Sequence, residues 1–108
     1  MYTVDIHKYK ETIKEAIYEL DVAIDFGKRE KDHLVKVITG YGSTGGTHKI
    51  KTNVLEYLKD KKNKGIKDFI ISSDLVNHTG NFFEFKYLSI IPDDEKRSGN
   101  PGVIFIVV

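Results

Sequence analysis

The stretch VKVITGYGSTGGTHKIKTNVLEYL, residues 35–58, decides how this chain folds. Leu34, Val35, Val37 and Ile38 make a β-rich apolar run that reads as a strand. Ile50, Val54, Tyr57 and Leu58 recur at helical spacing, with Thr47 in place to cap that helix. Between strand and helix lie Gly40, Gly42, Gly45 and Gly46. A strand passing through glycines into a helix is one unit of an α/β domain. The same glycines match two phosphate-binding patterns. Gly40, Gly42 and Gly45 satisfy the dinucleotide fingerprint G-x-G-x-x-G, and residues 40–47 follow the Walker loop with Gly46 where its lysine belongs.

Neither pattern survives its context. The dinucleotide fingerprint belongs in a first strand-turn-helix unit with an acidic residue about 20 positions on. Here the loop follows a second strand, Asp68 and Asp74 are displaced, and 108 residues leave no second nucleotide-binding half. The Walker loop lacks the lysine that reaches the terminal phosphates, and Lys49 comes too late. What remains is the physics both patterns share. A glycine turn at a helix N-terminus presents backbone N–H groups that suit a phosphate. The plainer reading is a tight connection that lets helix approach sheet.

Outward from this loop the order is regular. YTVDIH, residues 2–7, alternates as a half-buried strand with Val4 and Ile6 inward. From Lys10 to Lys28, Ile13, Ala16, Ile17, Leu20, Ala23 and Ile24 mark a helix, and Gly27 reads as its stop. After the second helix and Gly65, IKDFIIS at residues 66–72 is a third strand. VIFIVV at residues 103–108 is so continuously apolar that it belongs inside the sheet. NFFEFKYLSIIP, residues 81–92, fits a strand or a short helix, with helix the better fit. DDEKRSGNPG reads as loop. The order implies an α/β domain with two helices on a small mixed sheet. If both helices cover one face, the other is partly open, and Asp5 and His7 stand on it together.

Composition narrows the partners without naming one. With 40% apolar and 31% charged residues, the chain suits a single globular domain. It has no cysteine, which excludes disulfides and thiolate metal sites. Lys plus Arg number 17 against 16 Asp plus Glu, so any attraction to nucleic acid must come from local patches. MYTVDIHKYK holds no apolar stretch of signal-peptide length, and VIFIVV is too short to span a bilayer, so a cytoplasmic location and no membrane partner are expected. The lysine clusters at residues 59–64 and 28–31 are interleaved with acids and read as solvated surface. Lys49 and Lys51, nearer the glycines, suit phosphate contacts.

Asp5 and His7 sit two apart on a strand, so their side chains share a face. Histidine transfers protons near neutral pH, and an aspartate can orient its ring or hold a divalent ion, Mg²⁺ or Mn²⁺. On spacing alone, Asp5 capping a turn or pairing with Lys36 is the commoner arrangement. His33, His48 and His78 form no dense ligand cluster, so no structural metal site is expected.

VDIH at residues 4–7, KEAIYEL at 14–20, the stretch quoted above, and GNPGVIFIVV at 99–108 together resemble the small MutS-related (Smr) domain over nearly the whole chain. The family carries Leu-Asp-Leu-His on its first strand, His-Gly-x-Gly-x-Gly after its second, and a glycine-bearing turn before a last apolar strand. The resemblance implies a two-layer α/β sandwich, akin to the C-terminal domain of bacterial translation initiation factor three. It also implies work on RNA or DNA, free or within a ribosome or other ribonucleoprotein. Its sharper form is an endonuclease with Asp5 and His7 catalytic. Gly40, Tyr41, Gly42, Ser43, Thr44, Gly45, Gly46, Thr47, His48, Lys49 and Lys51 would then hold the phosphates. Its alternative is a recognition module that does not cut. Thr39, standing where the family has histidine, favours that alternative.

Overall fold

The computed structural model describes residues 1–7, 12–40 and 48–108. It is an α/β fold. The strands are β1 (Tyr2–Asp5), β2 (Leu34–Ile38), β3 (Asp68–Ile71) and β4 (Val103–Val107), and the helices are α1 (Ile13–Gly27), α2 (His48–Lys61), α3 (Ser72–Asn77) and α4 (Asp93–Lys96). The four strands form one mixed sheet in the order β1-β2-β4-β3. β1 and β2 run parallel with Asp5 opposite Ile38, and β4 runs antiparallel to both β2 and β3. The apolar C-terminal run therefore lies inside the sheet, where all five residues of β4 are buried.

Alternation divides the strands between two faces. Val35, Val37, Ile104 and Ile106 face α1 and α2, meeting Ala16, Leu20, Val54 and Leu58 in one core. Val4 packs against that core and Ile6 is buried in it, as their alternation predicts. Thr12 caps α1, accepting a hydrogen bond from the Glu15 backbone N–H at 3.0 Å, so the helix starts later than Lys10. Residues 8–11 lie outside the described chain, as does Thr47, the expected cap of α2.

The opposite face is not open. Leu34, Ile70, Phe105 and Val107 point there and are covered by Leu75, Phe85 and Ile91 in a second core. Residues 72–97 supply this cover, where a partly open face is expected from the two long helices alone. Two local readings fail with it, and one helix carries no sequence signal. Ser72–Asn77 is helical where no helix is expected. Residues 81–92 form turns and a 3₁₀ turn at Leu88–Ile90 rather than one regular element. Asp93–Lys96 is a one-turn helix inside the expected loop. Pro92 starts that helix instead of ending one, because proline fits a helix start and Asp93, Asp94 and Glu95 complement its positive end. Lys36 then anchors α4 to the sheet through Glu95 at 2.9 Å, so it does not pair with Asp5.

Gly27 also plays a different part. It is the last residue of α1, and a Cβ there would overlap Val35 Cγ2. Its role is close approach of helix to sheet, not a left-handed stop. Further along, α1 and α2 are joined by the Tyr57 hydroxyl, which donates to the Asp21 carboxylate. Burial first, then this hydrogen bond and the negative charge, push the Tyr57 hydroxyl up to about 12. A pKa raised in the fold means that the neutral phenol is favoured there. Its stabilising contribution is complete below the unfolded value of about 10 and is lost as pH rises through about 12. The stability advantage of wild type over Tyr57→Phe should therefore shrink between those two pH values in urea unfolding. A constant difference across that window would contradict the link.

Candidate functional site

The parallel register brings the proposed site residues to one end of the sheet. β1, β2 and β3 all finish there, and β4 starts there, with Ile38 opposite Val103 and Ile71 opposite Ile104. α2 begins at the same end because it returns the chain from the exit of β2 to the start of β3. In open α/β sheets this carboxyl end is where ligands bind.

Asp5 closes β1 as an exposed residue, and its Oδ1 accepts the backbone N–H of His7 at 2.9 Å. The carboxylate thus pins the turn that carries His7, the capping arrangement that spacing alone favours. His7 is half-buried, with Nδ1 shielded from solvent. Its ring lies on Gly40. Gly40 has φ +72°, and a Cβ there would overlap Nδ1 and Cγ of His7. The Asp-x-His motif and the first glycine of the loop therefore touch across the β1–β2 pair, and only glycine allows it. The other expected loop contacts, Tyr41, Gly42, Ser43, Thr44, Gly45, Gly46 and Thr47, lie outside the described residues.

Thr39 has no access to this site. It is fully buried, its hydroxyl donates to the Gly102 carbonyl at 2.9 Å, and its backbone N–H donates to the same oxygen at 2.7 Å. Gly102 in turn donates its N–H to the Asn100 side chain at 2.8 Å. The glycine-proline turn before β4 and the exit of β2 are thereby clamped together, which fixes where Gly40 starts.

α2 contributes unequally. His48 is its first residue, Lys49 is exposed, and Lys51 is half-buried. Burial holds the Lys51 ammonium below the usual lysine range, while the Asp74 carboxylate draws it back up. Asp74 itself accepts the Thr79 hydroxyl at 2.7 Å. The sequence offers Asp74 only as a misplaced acid for a dinucleotide. Its neighbourhood with Lys51 depends on α3, an element with too few residues to show a period.

Among the described residues, no group of three or more His, Asp or Glu side chains could hold a metal ion. No helix among the described residues is long and apolar enough to cross a membrane. Compared with family models, curated proteins and solved structures, the chain matches none.

Proposed function

We propose that this protein binds nucleic acid at the carboxyl end of its sheet and cleaves a phosphodiester there with His7. The supporting observation is the seating of the His7 ring on Gly40, the first of the glycines that the sequence places between β2 and α2. A histidine next to backbone N–H groups suits a phosphate whose charge grows as the bond breaks. On RNA, neutral His7 takes the proton of the ribose 2′-hydroxyl as that oxygen attacks phosphorus. The bond to the 5′-oxygen breaks and the proton passes to that oxygen. Asp5 acts as a positioning residue through the His7 backbone. Lys49 and Lys51 lie in the first turn of α2 for neighbouring phosphates. The resemblance to the Smr domain points to the same residues.

One observation favours a recognition module instead. Thr39 is locked to Gly102, so the position where the resembled family has a histidine offers no second acid or base. Labelled RNA and DNA, single-stranded and duplex, incubated with and without Mg²⁺ or Mn²⁺, separate the two readings. His7→Ala should abolish cleavage and leave binding intact, while Asp5→Ala should weaken cleavage less. Undiminished cleavage by folded His7→Ala would sink the catalytic assignment. Binding without any wild-type cleavage would establish the recognition module, and cutting of RNA but not DNA would support attack by the 2′-hydroxyl.

A further inference from the structure

A furrow of about 380 Å³ runs between α2 and the edge strand β3, over Leu55, Phe69 and Ile71, with Lys59, Lys62, Asp74 and Asn81 along its rims. A second lobe of about 210 Å³ continues it, sharing Lys62 and adding Lys67, Lys86 and Tyr87 beside Asp68 and Glu84. An exposed sheet edge ordinarily invites another strand. Here both outward backbone groups of Phe69 are occupied. Its N–H donates to Asp68 Oδ1 at 2.8 Å, and its carbonyl accepts from Asn81 Nδ2 at 3.0 Å. A guest must therefore lie on the side chains rather than pair with the backbone.

The charges define that guest. Asp68 is occupied by Lys62 at 3.2 Å, and Asp74, which accepts the Thr79 hydroxyl, has its charge facing the Lys51 ammonium. Lys59 makes only a long, exposed contact of 3.9 Å with Glu56. Lys67 and Lys86 make no ion pair within 4.0 Å among the described residues, leaving Glu84 as the one acid of the second lobe not engaged by a cation. An aromatic and aliphatic floor between such lysines matches what unpaired nucleic acid needs: flat surfaces for bases and cations for the backbone. The Asp74 end of the furrow lies at the same sheet end as Gly40. In the order β1-β2-β4-β3, the end of β3 lies about 10 Å from the exit of β2 and about 14 Å from the end of β1, which leads to His7, at ~4.8 Å per strand.

We infer that this furrow holds an unpaired stretch of nucleic acid and leads it to the His7 site, an inference that rests on the nucleic-acid reading above. The test is fluorescence anisotropy with labelled oligouridine and oligothymidine of about a dozen nucleotides, and with a duplex, across a salt series. The proteins are wild type, Lys67→Gln/Lys86→Gln and Phe69→Leu, each verified as folded by circular dichroism. The double variant should lose about tenfold in affinity for the unpaired strands, with the salt slope shallower by roughly 1.4, or about 0.7 for each phosphate contact removed. Phe69→Leu should lose about fivefold or more, and duplex binding should stay within about twofold. Wild-type binding that both variants retain in full would overturn the furrow while leaving the nucleic-acid reading intact. A wild type that binds no strand overturns both. Loss of self-association in sedimentation, with oligonucleotide binding unchanged, would assign the furrow to a second copy of the chain and overturn the inference.

Discussion

Gly40→Ala is expected to destabilise the protein by about 2–4 kcal/mol, the sum of a left-handed backbone penalty and the displacement of a packed ring. The backbone part follows from φ +72°, and the ring part from the overlap of a new Cβ with Nδ1 and Cγ of His7. These parts separate in a double-mutant cycle. In a His7→Ala background the ring is gone, so the same Gly40→Ala change should cost only about 1–2 kcal/mol. Urea unfolding of the four proteins measures the difference. Equal penalties in both backgrounds would mean that His7 does not rest on Gly40, and the structural support for the proposed site would go with it. If the proposed nuclease reading holds, the variant should also lose cleavage, because either the His7 ring or Gly40 must move.

Phe105→Ala should cost about 3–5 kcal/mol, the range for emptying a buried phenylalanine site. Phe105 is fully buried in the middle of β4, on the face covered by residues 72–97. Were that face bare, the ring would keep much of its exposure and its removal would cost nearer ~1 kcal/mol. The measured value therefore reports directly on the second core. Phe83→Ala serves as the control. Phe83 lies in the same segment but is 80% exposed, and its loss should stay within about 0.5 kcal/mol.

The four strands and two long helices were legible because each carries its own period. Val4 with Ile6, Leu20 with Ala23 and Ile24, and Val54 with Leu58 announce their faces within a few residues. The second layer carries no such signal. Leu75 stands on the short α3 while Phe85 and Ile91 stand in turns and bends, and only their gathering around Phe105 in one cluster makes them a core. Among the aromatic residues of that segment, Phe85 is buried, Phe82 and Tyr87 are half-buried, and Phe83 faces solvent. Alternation could not sort them, since the backbone there is neither strand nor long helix. Gly27 does end α1, but why the position needs glycine was hidden for a related reason. A glycine after a helical run signals a stop, but its packing partner Val35 becomes visible only when helix and sheet are brought together.

The site divides along the same line. Local pattern marked Asp5, His7 and the glycines as candidates, because their types and spacings are properties of short segments, and the resemblance to the Smr domain is what gave them a proposed chemical role. Local pattern also placed the last strand inside the sheet, since an unbroken apolar run must be covered on both sides. Tertiary structure decided which of those residues meet. Parallel pairing of β1 with β2 sets Asp5 opposite Ile38 and carries His7 onto Gly40. Antiparallel pairing of β4 turns Thr39 toward Gly102 and away from the site. Such contacts join residues far apart in the chain, and strand register, a property of the whole sheet, determines them.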